Sequence, residues 1–343
     1  MSSFTLNQNS EAAELISVTD ATVSFNIRQS FLNEYIRRRK KIIRAVDGVS
    51  FGLAHGEILS LVGESGSGKT TTGRMILRLV NASSGRVDFR GENIRHFDRH
   101  KMRDFRQKAQ MIFQDPYQSL NPRLNVFDIV TEPLQFNEHR KDSILQKEEQ
   151  AIKALEFAGL RPAADYLYRY PHELSGGQRQ RVSIATCFIM SPELIVADEP
   201  VSMLDASVRA DILKLFVRMK EQKNASILFI THDLSLAWLI SDRIAIMYLG
   251  RIVEIGPADL IAGSCLHPYS QALTSVLVMV GEERRQKRIV LQNETPSPLN
   301  IPPGCRFHTR CPVVRDICRT KEPGYTQIES GHSVSCHYPE KIY

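Results

Sequence analysis

The sequence predicts an α/β protein whose core is a parallel sheet covered by helices on both faces. Apolar runs of strand length occur at residues 58–62, 194–197, 226–230 and 243–247, and helical patterns alternate with them. A glycine-rich turn follows the first run and leads into a helical stretch, and an acidic pair ends the second run. This alternation is typical of parallel sheets that are buried on both faces.

The chain has 343 residues, which is long for one domain, so we expect two. Prolines at positions 116, 122 and 133, followed by helical periodicity, indicate a mostly helical insertion over about 116–183. Beyond residue 256 the composition shifts to a proline-rich segment and a group of cysteines. We therefore predict one domain over 1–256 and a small C-terminal, cysteine-containing domain over 257–343.

The composition is that of a globular chain, with 42% hydrophobic and 24% charged residues, which excludes disordered and fibrous classes. No apolar run approaches the ~18–20 residues that span a bilayer, and the first residues lack a secretory signal pattern. We therefore expect a cytosolic chain, and if it works at a membrane, a partner holds it there.

The charge balance is 44 basic against 38 acidic residues, a mild excess of +6. The basic run at 37–41, with Arg44 close behind, suits a solvated loop, and a phosphate-rich partner remains open. Because no aromatic residues interleave with this run, we expect no nucleic acid partner.

A phosphate-binding loop is predicted at residues 63–70, where GESGSGKT fits the pattern G-x-x-x-x-G-K-S/T between a strand and a helix. Glycines let successive N–H groups turn toward an anion, and the helix N-terminus adds positive potential. Lys69 can reach the β and γ phosphates of ATP, and the Thr70 hydroxyl can bind Mg²⁺. The predicted nucleotide-binding residues are Gly63, Glu64, Ser65, Gly66, Ser67, Gly68, Lys69, Thr70 and Thr71.

An acidic pair, Asp198 and Glu199, follows the apolar run at 194–197. A carboxylate at the end of a buried strand can hold the hydration shell of Mg²⁺, which is the role predicted for Asp198. Glu199 can act as the general base that polarises the attacking water. The pair and the phosphate loop together predict hydrolysis of a nucleoside triphosphate.

A second glycine-rich segment, LSGGQRQR, occupies residues 174–181. Ser175 and the backbone of Gly176 and Gly177 at a helix start can form another anion cradle. The segment resembles the signature motif of ATP-binding cassette (ABC) ATPases, in which Gln178 is the final residue. The resemblance implies an ABC ATPase fold, with a signature that closes over the ATP of a facing subunit.

Further positions resemble the same family. The resemblance implies that Gln114 is a Mg²⁺ ligand beside the helical insertion, that Asp205 lies in the loop named for its aspartate, and that His232 contacts the γ-phosphate. We predict that Phe25 is the aromatic residue that stacks on adenine. Tyr35 is the competing residue, and ordinary core packing of both remains open.

The match is more specific for the oligopeptide/dipeptide permease branch of ABC ATPases. The segments FQDPYQSLNPR, HPYSQAL and PSPLNIPPGCRFHTRCP resemble that branch, and the likeness runs from about residue 16 to 340. It implies an ATP-hydrolysing motor subunit of a bacterial importer on the cytoplasmic face of the cell membrane. Its expected partners are a second ATPase subunit, two transmembrane permease subunits and a solute-binding protein.

The resemblance implies that the imported solute is a dipeptide or an oligopeptide. Uptake of nickel or glutathione by the same branch remains open. A soluble ABC ATPase of DNA repair or translation is less favoured because the chain has neither tandem cassettes nor a long coiled coil. An exporter is less favoured because exporters mostly fuse the cassette to membrane spans.

Four cysteines with the spacing C-x5-C-x6-C-x17-C lie near the C-terminus, at Cys305, Cys311, Cys318 and Cys336. In a reducing compartment such a group favours a metal over disulfides. The tight pair that usually begins a structural zinc site is absent, so four thiolates suit a 4Fe–4S cluster. Related permease ATPases carry one, and we predict a cluster here, with zinc or free thiols as alternatives.

Overall fold

The fold consists of two β-sheets with helices around them. The computed structural model describes residues 14–27, 41–136, 138–275, 289, 291–329 and 331–340. The strands are β1 (Glu14–Ile27), β2 (Lys41–Ala54), β3 (Ile58–Val62), β4 (Ser84–Phe89), β5 (Glu92–Asn93), β6 (Ala109–Ile112), β7 (Leu194–Asp198), β8 (Ser226–Thr231), β9 (Arg243–Tyr248), β10 (Arg251–Pro257), β11 (Thr326–Glu329) and β12 (His332–Val334).

The helices lie mainly between the strands of the larger sheet. They are α1 (Lys69–Ile76), α2 (Arg99–Lys108), α3 (Pro116–Ser119), α4 (Val126–Thr131), α5 (Ile144–Phe157), α6 (Gly176–Phe188), α7 (Ala206–Lys223), α8 (Leu234–Ile240), α9 (Ala258–Ser264), α10 (Pro268–Thr274) and α11 (Asp316–Thr320). Within the described part of the chain, none of them is long and apolar enough to cross a bilayer.

The larger sheet has the strand order β11-β12-β10-β9-β3-β8-β7-β6. Its five strands from β9 to β6 run parallel, which confirms the predicted α/β class. All residues of β3, β7 and β8 are buried, which explains why these strands read as continuous apolar runs. Helices cover one face of the parallel sheet, whereas α1 together with β1, β2 and β4 covers the other, which corrects the prediction of helices on both faces.

The smaller sheet is antiparallel, with the order β2-β1-β4-β5. The strands β1 and β2 pair along their whole length, from Glu14 opposite Ala54 to Ile27 opposite Lys41. The sequence indicated strands here but not a separate sheet. Buried residues such as Val23, Val46 and Val49 pack into a core that is shared with the parallel sheet.

A helical segment separates β6 from β7, and its described residues contain α3 to α6 with short 3₁₀ turns between them. Its apolar residues join the core on one side of the parallel sheet, where Leu155 and Val182 pack with Ile195 and Phe216. Ser143 and Gln146 form a capping box that begins α5. The segment thus rests on the sheet close to the end of β6.

The C-terminal region is joined to the larger sheet. Strand β12 pairs with β10, and Oε1 of the buried Glu254 in β10 lies 2.8 Å from Nε2 of His332 in β12. Arg306 pairs with Asp47 in the middle of β2, the edge strand of the smaller sheet, and both side chains are largely buried. Burial raises the pKa of Asp47, but the hydrogen bond and charge of Arg306 outweigh it and hold this pKa below its ordinary value. These contacts fix the C-terminal region against both sheets.

Candidate functional site

The candidate site lies at the carboxyl end of the parallel strands. The segment 63–70 follows β3, Asp198 ends β7, and His232 directly follows β8. Gln114 comes two residues after β6. Parallel strands present their carboxyl ends at one edge of a sheet, which is where open α/β sheets bind ligands. Residues that are far apart in the sequence therefore meet at this edge.

The phosphate loop is glycine-rich because neighbouring backbone passes close to it. A Cβ atom on Gly63 would meet the carbonyl oxygen of Met247 at 2.2 Å. Gly68 has φ of +108°, and a Cβ atom there would meet the carbonyl oxygen of Ala45 at 2.1 Å. A larger residue would therefore displace the loop from β9 or β2. Helix α1 begins directly after Gly68, so its first N–H groups face the loop.

Two side chains of the phosphate loop, Lys69 and Ser67, form no ion pair with the described residues. The ammonium of Lys69 donates to the carbonyl oxygens of Gly63 at 2.7 Å and Glu64 at 3.0 Å. The hydroxyl of Ser67 is buried and has no hydrogen-bond partner among the described residues. The buried Lys69 ammonium and the unpaired Ser67 hydroxyl can both bind the oxygens of a polyphosphate.

The Thr70 hydroxyl donates to the Asp198 carboxylate at 2.9 Å, so a hydroxyl and a carboxylate oxygen lie side by side. These are the oxygen ligands that Mg²⁺ prefers. Burial raises the pKa of Asp198, partly opposed by that hydrogen bond. Burial also lowers the pKa of Lys69, against the attraction of nearby carboxylates, Glu199 first. Both charges are thus disfavoured by burial, and a ligand that brings a cation and a polyanion stabilises them.

Glu199 is held in an unusual backbone conformation. Its φ is +46°, the left-handed region, which costs about 1–3 kcal/mol for a residue with a side chain. The N–H of Glu199 donates to the Ile230 carbonyl at 2.9 Å, and the Ser202 hydroxyl donates to the Glu199 carbonyl at 3.0 Å. Its carboxylate accepts from the Gln114 amide at 3.2 Å and lies 3.2 Å from Nδ1 of His232. The strained backbone directs Glu199 toward these two side chains.

The signature segment forms the exposed start of α6. The Ser175 hydroxyl accepts from the Gln178 N–H at 3.3 Å, while the Gln178 side chain accepts from the Ser175 N–H at 2.9 Å. Gly177 is tightly placed, since a Cβ atom there would meet Val208 at 2.8 Å. Among the described residues, no hydrogen bond joins 175–178 to the phosphate loop.

Asp205 and Phe25 are exposed. Asp205 is the N-cap residue of α7, and its side chain makes no capping hydrogen bond. Phe25 lies on β1 opposite Ile43, with 42% of its surface exposed. Tyr35, the competing residue for adenine stacking, lies outside the described residues.

The predicted 4Fe–4S cluster is wrong. The described residues, which include all four cysteines, contain no group of three or more His, Cys, Asp or Glu side chains placed to hold a metal ion, and zinc is not supported either. Cys305 and Cys311 pack against the aromatic core around Phe307. Burial raises the pKa of Cys305 to about 12 and that of Cys336 to about 11, which favours neutral thiols over the thiolates that bind metals.

Three residues of the C-terminal region that sequence reasoning missed contact the phosphate loop: Tyr269, Thr295 and Arg310. Tyr269 lies in the segment HPYSQAL and Arg310 in PSPLNIPPGCRFHTRCP, and both segments indicate only the permease branch. No local pattern pairs Arg310 with Glu64, which lies 246 positions away in the chain.

Comparisons with known proteins agree with this architecture. A family profile described as "ABC transporter" matches residues 46–202. A second, described as "Oligopeptide/dipeptide transporter, C-terminal region", matches residues 253–318. A bacterial ABC transporter cassette, MJ0796, superposes with a TM-score of 0.62 at 27% identity, over 71% of this chain and 98% of that one. Fold and site together define an ABC ATPase, as predicted.

Curated relatives place the chain more closely. It is 42% identical to the oligopeptide transport ATP-binding protein AppF of Bacillus subtilis (strain 168), over 94% of this chain and 97% of AppF. It is 45% identical to the putative oligopeptide transport ATP-binding protein YkfD of the same organism, over 87% and 91%. The chain belongs to the family of oligopeptide/dipeptide ABC transporter ATP-binding proteins.

Proposed function

We propose that this chain is the ATP-hydrolysing subunit of a bacterial importer of oligopeptides or dipeptides. The observation that carries the proposal is the meeting of Lys69, the Thr70–Asp198 pair and Glu199 at one sheet edge. The solute class comes from the relatives, which are named for oligopeptide transport. Nickel or glutathione uptake and a role in DNA repair or translation are not favoured by these relatives.

In this proposal the phosphate loop binds the triphosphate of ATP. The N–H groups at the start of α1, the Lys69 ammonium and the Ser67 hydroxyl contact the phosphate oxygens. Thr70 and Asp198 hold Mg²⁺, with Gln114 as a further ligand. The bound Mg²⁺ neutralises charge on the β and γ phosphates.

Hydrolysis requires a base that takes a proton from the attacking water, and we assign this role to Glu199. Its carboxylate accepts from Gln114 and lies beside His232, so both side chains limit the orientations it can adopt. His232 is also placed to contact the γ-phosphate. A fixed carboxylate next to the phosphate site is what general base catalysis needs.

The signature segment acts on the ATP of a facing ATPase subunit. Its support is the partly exposed start of α6, where Ser175, Gly176, Gly177 and Gln178 begin the helix and form no hydrogen bond with the described phosphate loop. Asp205 contributes to the same interface, and Phe25 stacks on adenine. The related cassette MJ0796 has been described as a dimer bound to ADP and phosphate, which supports this arrangement.

Outside the nucleotide site, the proposal divides the chain at about residue 256. Residues 1–256 carry hydrolysis, with a helical subdomain at about 116–183 that contacts two transmembrane permease subunits. Residues 257–343 form the C-terminal part that distinguishes the peptide branch. The subunit then works at the cytoplasmic face of the cell membrane, where a solute-binding protein outside delivers the peptide.

Co-purification from the native host tests the assembly. A tagged copy of the chain, extracted from membranes in mild detergent, is expected to bring down two multi-span membrane proteins and a second ATPase subunit. An untagged strain is the control. Deletion of the two membrane proteins should move the chain out of the membrane fraction. Recovery of the tagged chain from membranes with neither protein present contradicts the proposal.

A further inference from the structure

The side chain of Glu64, in the phosphate loop, contacts the C-terminal region. Two nitrogens of the Arg310 guanidinium donate to the Glu64 carboxylate. Nη1 lies 2.9 Å from Oε2 and 3.1 Å from Oε1, and Nη2 lies 3.1 Å from Oε1. The Thr295 hydroxyl donates to the same carboxylate and accepts from Arg310 at 3.0 Å. Two-pronged contacts of this kind fix geometry as well as charge.

The backbone of Glu64 is held from the same side. Its N–H donates to the phenolic oxygen of Tyr269 at 3.0 Å. Tyr269 is completely buried and packs against Tyr248, with 4.8 Å between the ring centroids, and against Phe307, at 5.4 Å. Since this aromatic cluster leaves Tyr269 no room to move, the position of its hydroxyl is fixed.

The Glu64–Arg310 contact also neutralises a negative charge in the phosphate loop. Glu64 places a carboxylate in a loop that receives a triphosphate, and like charges at short range weaken binding. The Arg310 side chain is 8% exposed and that of Glu64 is 30% exposed, so solvent screens the pair only in part. Arg310 therefore neutralises the Glu64 carboxylate, which would otherwise repel the triphosphate, and it fixes the position of the loop.

We propose that Arg310, with Thr295 and Tyr269, is a positioning residue for nucleotide binding: the C-terminal region holds the phosphate loop through Glu64 and neutralises it. This inference rests on the proposed function, because it assumes that the loop binds ATP. It gives the C-terminal region of this chain a direct part in the ATP site.

The test is equilibrium binding of a fluorescent ATP analogue with Mg²⁺ to the purified full chain. Arg310→Met is expected to weaken binding about ten- to thirtyfold, because it leaves the Glu64 carboxylate unpaired beside the phosphates. Arg310→Lys keeps the charge but loses the two-pronged contact, so its loss should be smaller. Tyr269→Phe removes the acceptor for the Glu64 N–H and should weaken binding about threefold or more.

A second substitution, at Glu64, separates the effect of the unpaired Glu64 charge from a general structural effect of Arg310→Met. Glu64→Gln removes the negative charge and should change affinity by about threefold or less. In the double variant, Glu64→Gln should restore most of the affinity lost in Arg310→Met. If the double variant binds as weakly as Arg310→Met, or if Arg310→Met binds like the wild type, the inference is wrong. Should Arg310→Met fail to fold, the neutral but polar variant Arg310→Gln, with and without Glu64→Gln, takes its place in the same comparison.

Arg315→Met is the matched control. Arg315 is exposed and lies over the Tyr338 ring, 3.9 Å from its centroid, in the same region. We expect this variant to bind nucleotide like the wild type. A wild-type chain that binds no nucleotide refutes the proposed function itself. A wild-type chain that binds normally, with no loss in Arg310→Met, refutes only the role of Arg310.

Discussion

Glu199→Gln is expected to abolish steady-state ATP hydrolysis, by about 10²–10⁴-fold, while nucleotide binding persists. The amide keeps the shape of the carboxylate and its contact with Gln114 but cannot accept a proton from water. The phosphate loop, Lys69 and the Thr70–Asp198 pair are unchanged. If the signature of one subunit closes over the ATP of the other, the unhydrolysed nucleotide joins the two and dimerisation becomes linked to ATP.

Size-exclusion chromatography with Mg-ATP should therefore show a dimer of the Glu199→Gln variant, alone or with its partner ATPase subunit. Adding Ser175→Arg should abolish that dimer, because the larger side chain fills the anion cradle at the start of α6. Normal hydrolysis by Glu199→Gln contradicts the role of Glu199. A monomer in the presence of ATP and the partner subunit contradicts the closing of the signature.

Lys69→Ala is expected to reduce hydrolysis by about 10²–10³-fold or more and to weaken nucleotide binding. The loop loses the ammonium that lies over its carbonyl groups, and the remaining N–H groups carry only partial charges. Phosphate release and binding of a fluorescent nucleotide, measured on the same preparation, check both effects. Wild-type turnover in this variant overturns the assignment of the phosphate loop.

Lys101→Ala is the control for a loss of positive charge. Lys101 pairs with Glu92 on the exposed surface, with 58% of its side chain accessible. Surface pairs of this kind contribute little to stability, because solvent screens the two charges. Hydrolysis and binding by Lys101→Ala should therefore match the wild type.

The central strands were predictable because their signals are local. In 58–71, an apolar run, a glycine-rich turn and a helix stand next to each other, and the structure has β3, the loop and α1 in that order. The buried run before Asp198 likewise became β7. The sequence could not indicate that β12 pairs with β10, since strand pairing over a long separation depends on packing rather than on local pattern.

The cysteine prediction failed for a related reason. Spacing along the chain gives the number of thiols but not the directions in which they point. In the structure the N–H of Cys305 donates to the carbonyl of Cys318 at 2.8 Å, so the backbones meet, yet the side chains form no metal site. The Glu64–Arg310 pair was equally hidden, because an acid in a phosphate loop and a distant arginine have no local signature.

Peptide transport by the purified assembly tests the central claim most directly. The chain, its partner ATPase, the two permease subunits and the solute-binding protein are reconstituted in vesicles, and uptake of a labelled di- or tripeptide is followed. We predict that peptide accumulates only with hydrolysable ATP, that peptide raises the rate of phosphate release, and that Lys69→Ala prevents both. If the assembly hydrolyses ATP but moves no peptide, or if nickel or glutathione drives hydrolysis instead, the assignment to peptide import is wrong.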